Sequence, residues 1–529
     1  MTRANLSLDH GGYSLFMDER ITFDGVRAIL HPGNFSNFLY GILNGGDQRY
    51  GRDLWNLSAL ASWIPEKIAG ERGQILATRL FLEACLIIGA YILSSVAVSK
   101  KFARPVLFSL LLVLPYSAYY SSMPKPEPIG ILMASFILLM LKRDPEKYYF
   151  VIQLVAGLSF GNKISFLVFV VLIEFFLVSK RLLRFENIER SISMFLLGLS
   201  VAVPILGLLL FPMIVLFSIP YKKKRIYRFP VVQFFLKIII GVICAQLLNT
   251  LIWKQNFLRT WIGWTFLGTS HPSDSSAIGP MTWLKYFAVS WWPSIWLGRI
   301  FLIALLVVGF EIFWRNRLNL KNWRVSDIIF ASGVLMNLSI FLSVHRLWGM
   351  YLWIGTILCL VGAIENIVLF FQSRRAKQWI SEGIILLVVF AMAAPLVKGD
   401  IWSEKILLKR DSSTDFIVKQ QDYLVVEELL DHRTSSKIST KIVVDPVMFV
   451  PVSNKFLTVD RFWGPLYRWE DADYYIIGSE HSPGKSTDTM EITSYRNHVS
   501  NIGESCSMKP CFKELATLPS GGLILVKVS

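Results

Sequence analysis

Asp18 and Glu19 stand side by side in SLFMDERITFDGVRAIL (14–30), and three prolines hold Lys125 and Glu127 in SSMPKPEPIG. Lys163 follows two glycines and an asparagine in GLSFGNKISF, His271 and Asp274 share the loop FLGTSHPSDSSAIGP, and His345 and Arg346 lie in SVHRLWGMYLW. A carboxylate set beside a hydroxyl can take its proton, and fixed cations stabilise charge that develops on leaving oxygens. Acids from early segments facing cations from several later ones form a pattern that a receptor or scaffold does not need. Each member also has a bland reading: a hydrogen-bonded structural histidine, a snorkelling Lys163, a loop charge at Lys125. Asp47 and Asp53 are further acids in the leader, and Arg299 is either a bundle-facing charge or the anchor of a short helix. The sequence has no dense Asp/Glu/His cluster, so no metal ion is expected.

The elements that must position these groups are hydrophobic. Of 529 residues, 53% are apolar and 17% charged, and the mean hydropathy is +0.48. Soluble chains carry about 25% charged residues, so the composition predicts a polytopic membrane protein. The net charge of +16 does not indicate nucleic acid, because the Lys and Arg fall in short loops between apolar runs rather than on one solvated face. Apolar runs near 75–98, 105–120, 128–141, 149–161, 164–178, 192–220, 229–252, 288–314, 326–344, 350–371 and 380–397 give about twelve crossings of roughly 20 residues each. The run 192–220 is read as a hairpin because it is too long for one span and contains Pro204 and Pro212.

Positive charge orients the spans, since cytoplasmic loops retain Lys and Arg. Basic loops recur at Lys100/Lys101/Arg104, Lys142/Arg143/Lys147, Lys180/Arg181/Arg184, Lys222 to Arg225, Arg315 to Arg324 and Arg374/Arg375/Lys377. Residues 1–73, 121–127, 253–287 and 398–529 are thereby expected outside. Three domains follow: an extracytoplasmic first loop with an interfacial helix (1–73), a transmembrane bundle (74–397) and a soluble extracytoplasmic α/β domain (398–529). The leader has no apolar segment able to export it, and a further span ahead of Met1 is expected, giving about thirteen in all.

Within the leader, YGRDLWNLSALASWIPEKIAG repeats apolar residues at helical spacing. It suits a helix lying in the membrane interface, with Asp53 on its solvated face. The tail alternates helix-like TDFIVKQQDYLVVEELLDHR with strand-like KIVVDP, DYYIIGS and GGLILVKVS. Cys85, Cys244 and Cys359 lie in apolar runs as packing residues, and an oxidising compartment would permit Cys506 and Cys511 of CSMKPC to form a disulfide.

The order of these motifs resembles a family. An Asp-Glu pair in the first outer segment, then YGRDLW, MPKPEPIGILMASFILLMLKR, GLSFGNKISFLVF, a His-containing loop before LKYFAVSWWPSIWLGRIFLIALL, and HRLWGMYLW together look like the GT-C membrane glycosyltransferases. The branch most similar contains the protein O-mannosyltransferases and bacterial aminoarabinose transferases. The resemblance implies a mainly α, GT-C-like bundle and an inverting glycosyltransferase that moves a sugar from a polyprenyl-phosphate donor to a hydroxyl acceptor on an envelope glycan, lipid or protein. It implies Asp18, with Glu19 beside it, as the base. Lys125, Lys163, His271 and Arg346 would bind the donor phosphate, and Glu127 and His345 would position the acceptor. No cofactor is expected besides the lipid-phosphate sugar as co-substrate, and no metal. The expected location is a bacterial inner membrane, because no endoplasmic-reticulum retention signal ends the chain. A polyprenyl-linked oligosaccharide polymerase or ligase and a lipid flippase or transporter are the alternatives; a transporter would show broken helices matched in repeated halves.

Overall fold

The computed structural model describes residues 17–44, 51–97, 103–112, 117, 120, 124–180, 185–218, 230–252, 279–285, 299–316, 319–343, 349–373, parts of 421–429, and 440–444, 456–461, 473–478 and 512–527. The chain divides into two compact units, one of residues 25–64 and 77–404, the other of 1–24, 65–76 and 405–529.

The larger unit is helical. Its described helices are the end of α1 (Met17–Leu30), α2 (Phe35–Asn44), most of α3 (Asp53–Ala97), α4 (Ala103–Leu112), α5 (Glu127–Arg143), α6 (Tyr149–Asn162), α7 (Leu167–Ser179), α8 (Phe185–Ala202), α9 (Pro204–Ser218), α10 (Pro230–Ile252), α11 (Pro280–Lys285), α12 (Arg299–Asn316), α13 (Val325–Ser343) and α14 (Trp353–Ser373). Prolines start several of them. Pro126 and Pro128 bracket the first residue of α5, where the ring's fixed φ suits a first turn and no amide is missed. Lys142 and Arg143 lie in the last turn of α5, complementing the negative end of the helix dipole.

Two hairpins shape one end of this unit. α6 stops at Lys163, whose backbone is extended, and a 3-10 turn (Ile164–Phe166) leads into α7. The Gln153 amide donates to Glu174 Oε1 at 2.7 Å, so α6 and α7 run antiparallel. α8 and α9 turn at Val203, with Ser193 Oγ donating to the Ile214 carbonyl at 3.0 Å. α6 meets α8 backbone to backbone: a Cβ on Gly157 would land on the Phe195 carbonyl, one on Gly198 on the Leu154 carbonyl, and one on Gly161 on Ala202. Gly157 and Gly161 thus give the small-residue spacing that lets apolar helices touch closely. The core is aliphatic and aromatic, with Leu93, Ile137, Ile152, Phe166, Phe169, Ile173, Trp353 and Val361 all buried.

At the opposite end the helices are joined by charge. Arg315 pairs with Glu311 and with the fully buried Asp327. Asp327 Oδ2 also accepts from Asn316 Nδ2 at 3.0 Å and from the Arg324 amide at 2.9 Å. Lys142 pairs with Glu365 at 3.1 Å and donates to the Val96 carbonyl, and Lys180 Nζ donates to the Lys321 carbonyl at 2.7 Å.

The smaller unit contains a five-stranded mixed sheet of β1 (Thr440–Val444), β2 (Phe456–Arg461), β3 (Tyr474–Ile477), β4 (Phe512–Thr517) and β5 (Leu523–Lys527), in the order β2-β1-β3-β5-β4. β1 is parallel to both its neighbours, whereas β5 is antiparallel to β3 and β4. Val426, Ile442, Ile476, Leu518 and Ile524 form its core. In the same unit Gln74 Nε2 donates to the Phe23 carbonyl at 3.0 Å, and α3 breaks at Ala69 and Gly70, where Gly70 has φ +59°, a conformation that glycine adopts without steric cost.

Two sequence expectations change, and a third is met in part. The leader is not an open loop: Asp18 and Glu19 belong to the described helix α1. Asp53 is not solvated, being only 4% exposed. Of the expected spans, two helices among the described residues, Arg72–Ala97 and Val325–Leu342, are long and apolar enough to cross a membrane, and shorter apolar helices accompany them. α6, with 14 residues, extends only about 21 Å against a hydrocarbon core of about 30 Å. The expected span 380–397 lies outside the described residues.

Candidate functional site

The interruption at Lys163 gathers polar side chains into the helical unit. Asn162 Nδ2 donates to the Pro126 carbonyl at 3.0 Å, tying the end of α6 to the proline turn before α5. Gly130 leaves room there: a Cβ at that position would meet the Phe166 ring and, at 3.0 Å, Asn162 Nδ2. The proline turn and the Lys163 break are thereby clamped together, and Lys163 Nζ donates to Glu127 Oε1. Tyr120 OH reaches the same oxygen at 3.3 Å. Glu127 is buried and Lys163 partly so, and their Coulomb attraction is stronger than at a surface.

Aromatic rings enclose the pair. Lys163 Nζ lies 5.9 Å from the Tyr351 ring centroid, within cation–π range, and Tyr120 packs on Trp353 with centroids 4.4 Å apart. Trp353 Nε1 donates to Ser117 Oγ at 3.2 Å. A small pocket opens beside Glu127, Lys163 and Ser165, with Tyr351, Met336, Ile340 and Ile354 forming its less polar wall.

A second acid approaches the same break. The Gly51 amide donates to the Asn162 carbonyl at 3.0 Å and the Arg52 amide to the Ala202 carbonyl at 2.6 Å, so the start of α3 is stitched to the ends of α6 and α8. Any side chain at Gly51 would come within 2.6 Å of both Asp53 Oδ1 and the Gly161 carbonyl. Burial pushes the Asp53 carboxyl up to about 7, opposed by the amides of Leu54 and Asp53 itself and by the Arg52 guanidinium. Arg52 is buried too, donating to the Gly41 carbonyl and lying 4.8 Å over the Trp55 ring.

Two of the sequence-derived candidates meet directly. Glu127 and Lys163 are brought into contact, and Lys125 is buried in the same proline turn, rather than being displayed as a surface cation and anion. Lys163 does not simply snorkel, because its ammonium meets a buried carboxylate. Asp18 and Glu19 belong to the unit that carries the sheet, Glu127 and Lys163 to the helical unit. The side chains of Asp18, Glu19 and Arg299 lie outside the described residues, as do Asp47, His271, Asp274, His345, Arg346 and the Cys506/Cys511 pair. Cys85 and Cys359 are buried free thiols, and Cys244 is half-buried.

Sequence reasoning missed Tyr120, Ser165 and Tyr351. Tyr120 precedes the proline turn in SAYYSSMPKPEP and Ser165 follows Lys163 by two residues, so proximity to the two signals was the available clue. Among the described residues no group of His, Cys, Asp and Glu is arranged to hold a metal ion. No protein-family model and no curated protein matches the sequence.

Proposed function

We propose that the chain is an inverting membrane glycosyltransferase, moving a sugar from a polyprenyl-phosphate donor to a hydroxyl acceptor, with the Lys163 end of the helical unit on the extracytoplasmic side. The observation that carries this reading is the convergence of Glu127, Lys163, Tyr120 and the buried Asp53 on one helix break. Sidedness is supported by the opposite end, where Lys142, Lys180, Arg315 and Arg324 gather, as basic residues do on the cytoplasmic face. Large apolar side chains also point outward, with Leu306, Phe310 and Trp314 of α12 between 64% and 72% exposed. Such a surface suits lipid.

In the transfer an acceptor oxygen forms a bond to the anomeric carbon while the bond from that carbon to the donor phosphate oxygen breaks. The acceptor proton passes to a carboxylate and the electron pair leaves with the phosphate. Attack opposite the leaving phosphate inverts the anomeric centre. By the family resemblance Asp18 is the base, with Glu19 beside it. Asp47 and Asp53 are the alternatives, Asp53 supported by a carboxyl that burial raises to about 7, where a general base works well. Lys125, Lys163, His271 and Arg346 would bind the donor phosphate, Lys163 while paired with Glu127. Glu127 and His345 position the acceptor.

The test uses purified protein in lipid nanodiscs with a radiolabelled polyprenyl-phosphate sugar and a hydroxyl acceptor. Transfer or donor hydrolysis is expected, falling by about 10²-fold or more when the base is neutralised, in either Asp18→Asn or Asp53→Asn. Vectorial movement of the lipid without cleavage of the sugar–phosphate bond would instead identify a flippase, and the absence of both activities would likewise overturn the reading.

A further inference from the structure

The break at Ala69 and Gly70 folds α3 back on itself. Leu54, Trp55 and Ala59 share one buried cluster with Leu82, Cys85 and Ile129, and the Asp53 charge acts on the Cys85 thiol. Along an unbroken helix Leu54 and Leu82 would stand about 42 Å apart. The first half of α3 (53–64) therefore runs antiparallel to the second (77–97), with Asp53 level with Cys85. That second half belongs to Arg72–Ala97, a helix of 26 residues that is long and apolar enough to cross a membrane.

Depth follows from helix rise. The Val96 carbonyl lies at the charged pole, where it accepts from Lys142. Cys85 stands at most about 17 Å from it along the helix, and α6, with 14 residues, reaches Lys163 after about 21 Å. A hydrocarbon core measures about 30 Å. With the charged pole at one face of that core, the polar groups around Lys163 lie about 10 Å inside the other. The first half of α3 climbs from this level, and its outward residues are apolar. Leu57, Leu60 and Ile64 are exposed, as are Leu80, Ile87 and Ile88 on the second half. An apolar stripe shared by two paired helices marks a surface that something apolar covers, and the acyl chains around the spanning helix cover both halves at once.

We infer that the first half of α3 is a lipid-facing arm, rising through the leaflet on the Lys163 side with acyl chains against Leu57, Leu60 and Ile64, so that Asp53, Glu127 and Lys163 sit in a recess below the membrane surface. Ionisable groups at such a depth face the bundle interior or a water-filled cavity, as these three do. The period of the arm alone also suits a helix lying flat in the interface; its pairing with a spanning helix does not. The arm rests on the proposed function only for naming that leaflet the outer one.

Spin labels on the full-length protein in nanodiscs test this. Leu57→Cys, Leu60→Cys, Ile64→Cys and Leu80→Cys are labelled one at a time, with the unsubstituted protein labelled in parallel as background. Collisions with oxygen, which partitions into lipid, are compared with those of a water-soluble nickel chelate. Oxygen should dominate at Leu57 and Leu60, and depth should decrease by about 10 Å from Leu57 to Ile64, with Leu60 and Leu80 at one depth. Equal depths from Leu57 to Ile64 would reveal a helix lying flat, dominance of nickel at every position an arm in water, and labels reached by neither probe a face covered by protein; each result overturns the inference. If one variant does not fold, the remaining positions still define the slope. The two readings fail separately. A flat profile in protein that transfers sugar would remove the arm and leave the transferase, whereas a sloping profile in protein that transfers none would remove the transferase and leave the arm.

Discussion

Glu127 and Lys163 are 36 residues apart and each is worth more to its partner than to the fold. Replacing Lys163 with Met strands a buried carboxylate, a loss of about 3–5 kcal/mol, whereas Lys163→Met combined with Glu127→Leu should recover most of that stability without recovering activity. Thermal unfolding in detergent, read beside the transfer assay, checks both halves. Asp53 carries a pH signature. Its carboxyl rises from an ordinary 3.8 to about 7, so the folded chain keeps a proton that the unfolded chain releases as pH climbs between those values. Stability from this group is complete below about 4 and is lost as pH rises through 7. Asp53→Asn should therefore be neutral at pH 4, and at pH 8 more stable than wild type by up to a few kcal/mol. A difference in Tm that ignores pH would show that Asp53 does not hold the proton.

At the scale of elements, proline and glycine were the readable punctuation. Pro204 within an over-long apolar run indicated a turn, and α8 and α9 do reverse at Val203. The helical period of the stretch after Tyr50 was also legible, but the environment of its polar side was not. Ser58 and Ser62 are fully buried, while Leu60, Trp63 and Ile64 are 52% to 72% exposed. The buried face mixes Leu54, Trp55 and Ala59 with Asp53 and the two serines, while other large apolar residues look outward, so the segment is apolar on both faces, unlike a water-soluble helix. Helicity over Met17–Leu30 could have been read from the buried Phe23, Val26 and Ile29, three residues apart; the adjacent acids drew attention from that spacing. The pairing of Glu127 with Lys163 had no local signal, because it depends on how α5 and α6 come together. The contact of α6 with α8 gives a sharper test. Since a Cβ on Gly198 would strike the Leu154 carbonyl, Gly198→Val should separate the helices at a cost of about 1–3 kcal/mol or more, seen as a lower Tm and reduced yield, while Gly279→Ala, with open space around it, should be silent.

For the whole molecule, composition indicated helices in a membrane and an alternating tail indicated a sheet, with β1, β3 and β5 falling on the strand-like segments. β2 and β4 were missed because FLTVDR and FKELAT mix charge into short runs. The proposed sidedness predicts that single cysteines at Asn37 and Glu146, both exposed, react with a membrane-impermeant maleimide from opposite faces of sealed vesicles; labelling from one face would refute the orientation. The ionic knot around Asp327 should hold its own end shut, so Asp327→Ala is expected to destabilise by about 3–5 kcal/mol, measured by thermal unfolding.

That knot makes the helix assembly stiff at one pole. The opposite pole is tied as well, by Asn162 to the Pro126 carbonyl and by Lys163 to Glu127. On the proposed transferase reading, spent carrier occupies the place that fresh donor needs, so free polyprenyl phosphate should slow turnover by competing with the charged donor.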